Sequence, residues 1–203
     1  REMYVSIKAL EDAFCPGASL AERRTLFVEL TEHLDRAVLK VVSQQPDFGQ
    51  RSLSLNLNIA TLGSQAFAAF DSRLTDAQRT KIVLEVHRND LVANFDRFRR
   101  LAPTLRERGY SLCLDALDAR LLPHLDLKGL DCRFAKLFWS SDAVASADLL
   151  RDEIAQRAQR EEGVEYILAR CDNAAALRLA RHAGLSLLQG KLIDHMAKHG
   201  IPV

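Results

Sequence analysis

Four polar residues lie within or at the ends of segments that are otherwise apolar. They are Asn56, Glu85, Asp115 and Lys136. Because a buried carboxylate is costly unless it is paired or bound to a metal, we expect Glu85 and Asp115 to share a polar centre. An asparagine and two carboxylates offer oxygen ligands suited to Mg²⁺ or Mn²⁺, and a nearby lysine could neutralise a phosphate. Alternatively, these side chains only form hydrogen bonds with one another. This explains the position of any single one of them better than it explains the positions of all four.

Apolar segments that we predict as strands alternate along the chain with helical patterns. The predicted strands are Met3–Ile7, Leu53–Leu57, Ile82–Val86, Ser111–Leu114, Phe134–Phe138, Tyr166–Ala169 and Leu185–Leu188. Nearly continuous apolar strands between helices indicate a parallel sheet covered on both faces, hence an α/β fold. No glycine-rich phosphate loop follows the first strand, which counts against an open nucleotide-binding sheet. Polar residues at the ends of several strands favour a (β/α) barrel.

Composition narrows the class of protein. The 203 residues carry a net charge of +1, so no global field favours nucleic acid or an anionic membrane. The four cysteines include no C-x-x-C pair, which counts against a zinc knuckle, and no apolar run approaches the roughly 18 residues of a membrane span. We expect one cytoplasmic domain over residues 1–203. The first residue is Arg1 rather than Met, so we also expect a fragment of a longer signalling protein.

In order along the chain, these segments resemble the motifs of EAL domains, the bacterial cyclic di-GMP phosphodiesterases. The resembling stretches are Ser54–Leu57 for the asparagine strand, Leu84–Val86 for the second glutamate strand, Leu105–Asp115 for the lead into the paired aspartates, Phe134–Leu137 for the lysine strand and Gly184–Gly190 for the closing glutamine-glycine motif. The resemblance implies a TIM-like (β/α) barrel of the EAL type. It also implies that Asn56, Glu85, Asp115, Lys136 and Gln189 stand at site positions of the family.

The resemblance implies hydrolysis with two metal ions, and the sequence departs from that pattern. On the alignment we prefer, the signature strand is Ser6–Leu10 and its glutamate is replaced by Lys8. Ala116 stands in place of the second aspartate of the pair, and Arg170 in place of a glutamate. Alanine offers no ligand, and lysine and arginine repel a divalent cation. We therefore predict a catalytically inactive, degenerate domain that binds no metal.

The first strands leave two interpretations open. On the preferred alignment, we expect the family's own first strand to lie before Arg1 or to be missing, and the barrel to be incomplete or modified at its N-terminal strands. Alternatively, Met3–Ile7 is that first strand and the signature strand is absent. We further hypothesise that the Lys8 ammonium takes the place of the metal and pairs with Glu85 and Asp115. The competing interpretation is a strand-end lysine with its ammonium in water.

Three functions follow from the resemblance. The first is a regulatory domain that acts by protein–protein interaction, which is compatible with a homodimer. The second is a cyclic di-GMP receptor that binds without cleaving, with Lys136, Arg170 and Gln189 as ligand-binding residues. Against it, Asp12 falls where the preferred alignment places the family's arginine. The third, an active phosphodiesterase, conflicts with Ala116. None of these functions involves nucleic acid or a membrane segment.

Overall fold

The computed structural model describes residues 2–3, 7–14, 17, 19, 22, 24–45, 50, 52–140, 145–160 and 163–202. The chain forms two compact units, unit 1 (Arg1–Ser111) and unit 2 (Leu112–Val203). Both consist of parallel strands followed by helices, which confirms the predicted α/β class. No described helix combines the length and the apolar character that crossing a membrane requires.

Unit 1 contains three neighbouring parallel strands. They are β1 (Glu2–Met3), β2 (Leu53–Asn56) and β3 (Ile82–His87). In register, Glu2 lies beside Ser54, and Asn56 lies beside Glu85. Leu55 and Leu84, which pair with each other, are fully buried. The apolar alternation in the sequence thus places the leucines in the core and turns the polar residues to the other face.

Helices of 4 to 19 residues connect the described strands of unit 1. They are α1 (Ile7–Phe14), α2 (Arg24–Val42), α3 (Ile59–Leu62), α4 (Gln65–Asp71), α5 (Asp76–Arg79), α6 (Arg88–Ala93) and α7 (Phe95–Glu107). Local side chains define where these helices begin. The Ser64 hydroxyl accepts a hydrogen bond from an amide in the first turn of α4, and Thr75 forms a capping box with Gln78 at α5.

Unit 2 holds most of β4 (Ser111–Leu117), which begins at the boundary between the units, and three further parallel strands. These are β5 (Cys132–Phe138), β6 (Glu165–Ala169) and β7 (Leu187–Leu188). The helices among its described residues are the 3₁₀ helix Leu122–His124, α8 (Ala147–Arg160), α9 (Ala174–His182) and α10 (Lys191–Lys198). Strands β4 to β7 pair in chain order.

The N-terminal segment corrects two of the sequence-based predictions. The strand β1 covers Glu2–Met3, and the helix α1 begins at Ile7, so the signature strand predicted over Ser6–Leu10 is wrong from Ile7 onward; residues 4–6 lie outside the described part. The Lys8 ammonium lies 3.1 Å from Asp12, one helical turn away, and the Lys8 side chain is 81% exposed. The hypothesis that Lys8 replaces a metal between Glu85 and Asp115 is therefore wrong, because the i,i+4 spacing pairs it on the surface of α1.

Candidate functional site

In unit 1, polar side chains gather on one face of the three strands. Residues two apart on a strand share a face, so Ser54 and Asn56 lie together with their neighbours Glu2 and Glu85. The Asn56 amide nitrogen donates to Glu2 Oε1 over 2.9 Å, and the Ser54 hydroxyl donates to Glu85 Oε1. Glu85 is only 3% exposed. The predicted residues Asn56 and Glu85 are thus adjacent, and Glu2 joins them.

Sequence reasoning missed Glu2. The preferred alignment assigned the acidic position of the signature strand to Lys8, which the structure places on α1. Glu2 is instead the carboxylate beside Asn56, on the neighbouring strand. The argument from Asp12 against ligand binding depended on the same alignment and falls with it. A glutamate at the second position of the chain, in a strand of two described residues, offers no periodic signal to find it by.

The carboxylate oxygens of Glu2 and Glu85 are the candidate metal ligands on this face. Glu2 and Glu85 each accept a hydrogen bond from a neutral side chain. Among the residues that the structure describes, no three His, Cys, Asp or Glu side chains are grouped so that they could hold a metal ion.

Two aspartates determine where the chain turns after Asn56. Oδ2 of Asp35 accepts hydrogen bonds from the backbone and side-chain nitrogens of Asn58, at 2.7 and 2.9 Å, and from the Thr61 hydroxyl at 2.8 Å. The carboxylate of Asp90 accepts from the Ile59 amide over 2.6 Å. Burial raises the pKa of Asp35 even though these hydrogen bonds act in the opposite direction. Together the two carboxylates satisfy the first amides of α3 and hold the end of β2 in place.

In unit 2, the strand β4 carries an irregularity beside the predicted site lysine. Leu114 pairs with Ala135 and Leu117 pairs with Leu137, so two residues of β4, Asp115 and Ala116, stand opposite the single Lys136. Ala116 has a φ of 62°, in the left-handed region that residues with a Cβ rarely occupy. Such bulges re-aim side chains and are frequent next to functional sites. Asp115 is 9% and Lys136 3% exposed, so both predicted polar residues are buried.

Three further residues, Lys136, Phe138 and Gln189, lie at or near the C-terminal ends of β5 and β7. Lys136 and Phe138 are two residues apart on β5 and share a face. Gln189 directly follows β7, and its amide donates to the carbonyl of Leu168 over 2.9 Å. Its own carbonyl accepts from the Cys171 amide over 2.9 Å, which holds the end of β7 against the chain that leaves β6.

Arg170 directly follows β6 and adds an exposed cation at the C-terminal ends of these strands. Its guanidinium carbon lies over the Phe138 ring, 4.4 Å from the ring centre, which is a cation–π contact. Arg170 has a φ of 62°, so the backbone turns sharply at this residue. Arg170 and Gln189 thus directly follow β6 and β7, and Lys136 lies two residues before the end of β5, the strand beside β6. Two cations and an amide are groups that bind phosphate oxygens.

Solved structures share this fold at low sequence identity. The FimX EAL domain from Pseudomonas aeruginosa bound to c-di-GMP is 18% identical, with 84% of this chain and 71% of that chain covered and a TM-score of 0.60. The FimX EAL domain of Xanthomonas citri in complex with c-di-GMP is 15% identical (90% and 74% covered, TM-score 0.63). Klebsiella pneumoniae BlrP1 in a manganese and c-di-GMP complex is 17% identical (87% and 47% covered, TM-score 0.58).

These similarities establish the fold as the TIM-like α/β fold of the EAL type, which confirms the prediction from the sequence. The comparison with curated proteins found no match. The EAL domain family model matches residues 12–195, which is most of the chain. The chain therefore belongs to the EAL domain family.

Proposed function

We propose that this EAL domain is a regulatory receptor that binds cyclic di-GMP without hydrolysing it. The observation that carries the proposal is the placement of Lys136, Arg170 and Gln189 at or near the C-terminal ends of three neighbouring strands of unit 2. The FimX structures similar to this chain contain the same dinucleotide. Because the chain shares the family with them, cyclic di-GMP is the first ligand to test.

The charges of these residues suit a ligand with two phosphodiesters. Lys136 is buried, so its ammonium is held at a fixed depth, where attraction to an anion is stronger than in water. Arg170 is exposed and can bind two phosphate oxygens at once through its planar guanidinium. Gln189 offers both a donor and an acceptor, as recognition of a base or a ribose hydroxyl requires. The three residues can thus serve different parts of one dinucleotide.

We propose that the domain does not hydrolyse cyclic di-GMP, because the charges at two positions of the site do not suit metal binding. Two-metal cleavage of a phosphodiester needs carboxylates that hold both cations. On the alignment that the resemblance implies, the family has acidic residues where this chain has Ala116 and Arg170. Arg170 thus carries a positive charge at a position where the family's carboxylate would attract a metal cation. We therefore propose that binding needs neither Mg²⁺ nor Mn²⁺. A cytoplasmic location agrees with this function and stays a prediction.

Calorimetry with cyclic di-GMP, in buffer with EDTA and again with MnCl₂, tests the proposal. We expect binding in the micromolar range or tighter in both buffers, and chromatography of the mixture should show no linear dinucleotide. Replacing Lys136 by Met keeps the volume and removes the charge, and it should weaken binding at least tenfold. Lys8→Ala, on the exposed face of α1, is the matched control and should bind like the wild type. Absence of heat at high micromolar ligand, or turnover in MnCl₂, would contradict the proposal.

A second candidate is a domain that acts by protein contact alone. The observation in its favour is exposed apolar surface, since Val92 on α6 is 79% exposed and Phe95 at the start of α7 is 45% exposed. Contiguous exposed apolar surface marks sites of protein interaction, and Val92 and Phe95 are three residues apart in the chain. Sedimentation velocity of the wild type and of Val92→Ser tests one form of this function, self-association. A dimer that the substitution dissociates, together with no binding of cyclic di-GMP, would favour this candidate over the receptor.

A further inference from the structure

The contact between Phe138 and Arg170 links the C-terminal ends of the neighbouring strands β5 and β6. Phe138 is the last residue of β5 and pairs in register with Ala169, the last residue of β6. Arg170 comes next, and its guanidinium carbon lies 4.4 Å from the centre of the Phe138 ring. An exposed arginine ordinarily samples many rotamers, and ordering it for a ligand costs entropy. The ring gives the guanidinium a preferred place before any ligand arrives.

The backbone at Arg170 limits its side chain further. Its φ of 62° is rare for a residue with a Cβ, and such conformations concentrate at ligand sites. Hydrogen bonds on the following residues maintain the turn, because the Asp172 amide donates to the Arg170 carbonyl over 2.8 Å and the Cys171 amide donates to the Gln189 carbonyl. The direction of the arginine is therefore determined both by its backbone and by the ring beneath it.

We infer that Phe138 is a positioning residue that holds Arg170 as a built-in cation for a phosphate of the ligand. This inference rests on the proposed function and identifies how the site would bind a phosphodiester without a metal ion. Lys136 is buried two residues before Phe138, on the same face of β5, so the two cations lie at different depths. Two fixed cations at different depths suit a ligand that carries two phosphates.

Two properties distinguish a fixed arginine from a bound metal. Affinity for an anion should fall with increasing KCl concentration, because an exposed guanidinium is screened by salt. Affinity should not depend on divalent cations. Removing the aromatic face should reduce both the affinity and its dependence on salt, because the arginine would then spend less time at the phosphate.

The test compares Phe138→Leu, which removes the aromatic face, with Phe138→Tyr, which keeps it, in the wild type and in Arg170→Gln. Trp139, the only tryptophan, directly follows Phe138, so its fluorescence can report cyclic di-GMP binding; calorimetry provides the second readout. We expect Phe138→Leu to weaken binding about 5- to 20-fold and to lower the slope of log Kd against log [KCl]. Phe138→Tyr should bind like the wild type. In Arg170→Gln, Phe138→Leu should have no further effect.

The outcomes separate the inference from the proposed function. A wild type that does not bind cyclic di-GMP overturns both. Two results would overturn the positioning role of Phe138 but leave the receptor function intact, provided that the wild type binds cyclic di-GMP. In the first, Phe138→Leu binds as tightly as the wild type. In the second, Phe138→Leu weakens binding by the same factor in Arg170→Gln as in the wild type. If circular dichroism shows that Phe138→Leu does not fold, Arg170→Lys decides. Lysine keeps the charge without the planar stack, so binding as tight as in the wild type would overturn the inference, and a loss of several-fold would support it.

Discussion

The phenol of Tyr110 donates a hydrogen bond to Oδ1 of Asp71 over 2.7 Å, across 39 residues of chain. Tyr110 is 3% and Asp71 7% exposed. Arg79 donates to the same oxygen over 2.7 Å, and Arg108 donates to Oδ2 over 2.7 Å. This cluster, Asp71 with Arg79, Arg108 and Tyr110, connects the end of α4 to α5 and to the turn before β4. It lies within unit 1 and links these segments to one another.

Replacing Tyr110 by Phe removes only the hydroxyl group. A hydrogen bond to a charged acceptor contributes about 1.5–3 kcal/mol, so we expect the free energy of unfolding to fall by about that amount in urea denaturation. The same substitution made in Asp71→Asn should cost clearly less, because the charged acceptor is already gone. Equal losses in the two backgrounds would show that the tyrosine stabilises through packing rather than through Asp71.

Asp71 and Asp76 both pair with Arg79 but differ in burial. The Asp71 carboxylate is 10% exposed and the Asp76 carboxylate 99% exposed. Asp71→Asn should cost about 3 kcal/mol, because it breaks a buried ion pair and leaves guanidinium groups without their anion. Asp76→Asn, the matched control, should leave the thermal midpoint unchanged within error. Similar losses for the two variants would contradict the assigned role of Asp71.

The same carboxylate should make the protein sensitive to acid. Burial alone would raise the pKa of Asp71, but hydrogen bonds from Tyr110 and Arg79 and the charges of Arg79 and Arg108 hold it below its usual value. A lowered pKa stabilises the folded state above the unfolded pKa of about 3.9, and this contribution is lost as the pH falls through the lower folded value. The stability difference between wild type and Asp71→Asn should thus shrink below about pH 4. Urea titrations at pH 7, 5 and 3 measure it.

Asp35 should show the opposite dependence on pH. Burial raises its pKa, against the hydrogen bonds from Asn58 and Thr61. A raised pKa gives a contribution that is complete below about pH 3.9 and is lost as the pH rises through the folded value. Relative to Asp35→Asn, the wild type should therefore gain stability as the pH is lowered from 7 toward 4. A difference that stays constant over this range would show that the carboxylate titrates as it does in the unfolded chain.

Local patterns predicted the strands of the core, because burial of apolar side chains within a strand leaves a recognisable trace in the sequence. The same patterns placed Glu85, Asp115 and Lys136 in strands. They could not bring Glu2 beside Asn56 or Arg170 over Phe138, since those contacts depend on which strands are neighbours. The Asp71 cluster joins residues too distant in sequence for any local signal.

The glycine after Gln189 is required by space and not only by backbone angle. Gly190 has a φ of 155°, and a Cβ there would lie 2.4 Å from the backbone nitrogen of Cys171. Gly184 also has a positive φ, 69°, but a Cβ there would meet nothing within 4 Å. Gly184→Ala should therefore cost about 1 kcal/mol, the strain of a left-handed alanine. Gly190→Ala should cost several times more and should weaken cyclic di-GMP binding, because the clash pushes Cys171 away from the Gln189 carbonyl. Thermal unfolding and calorimetry of both variants measure this, and equal effects of the two substitutions would refute the steric role.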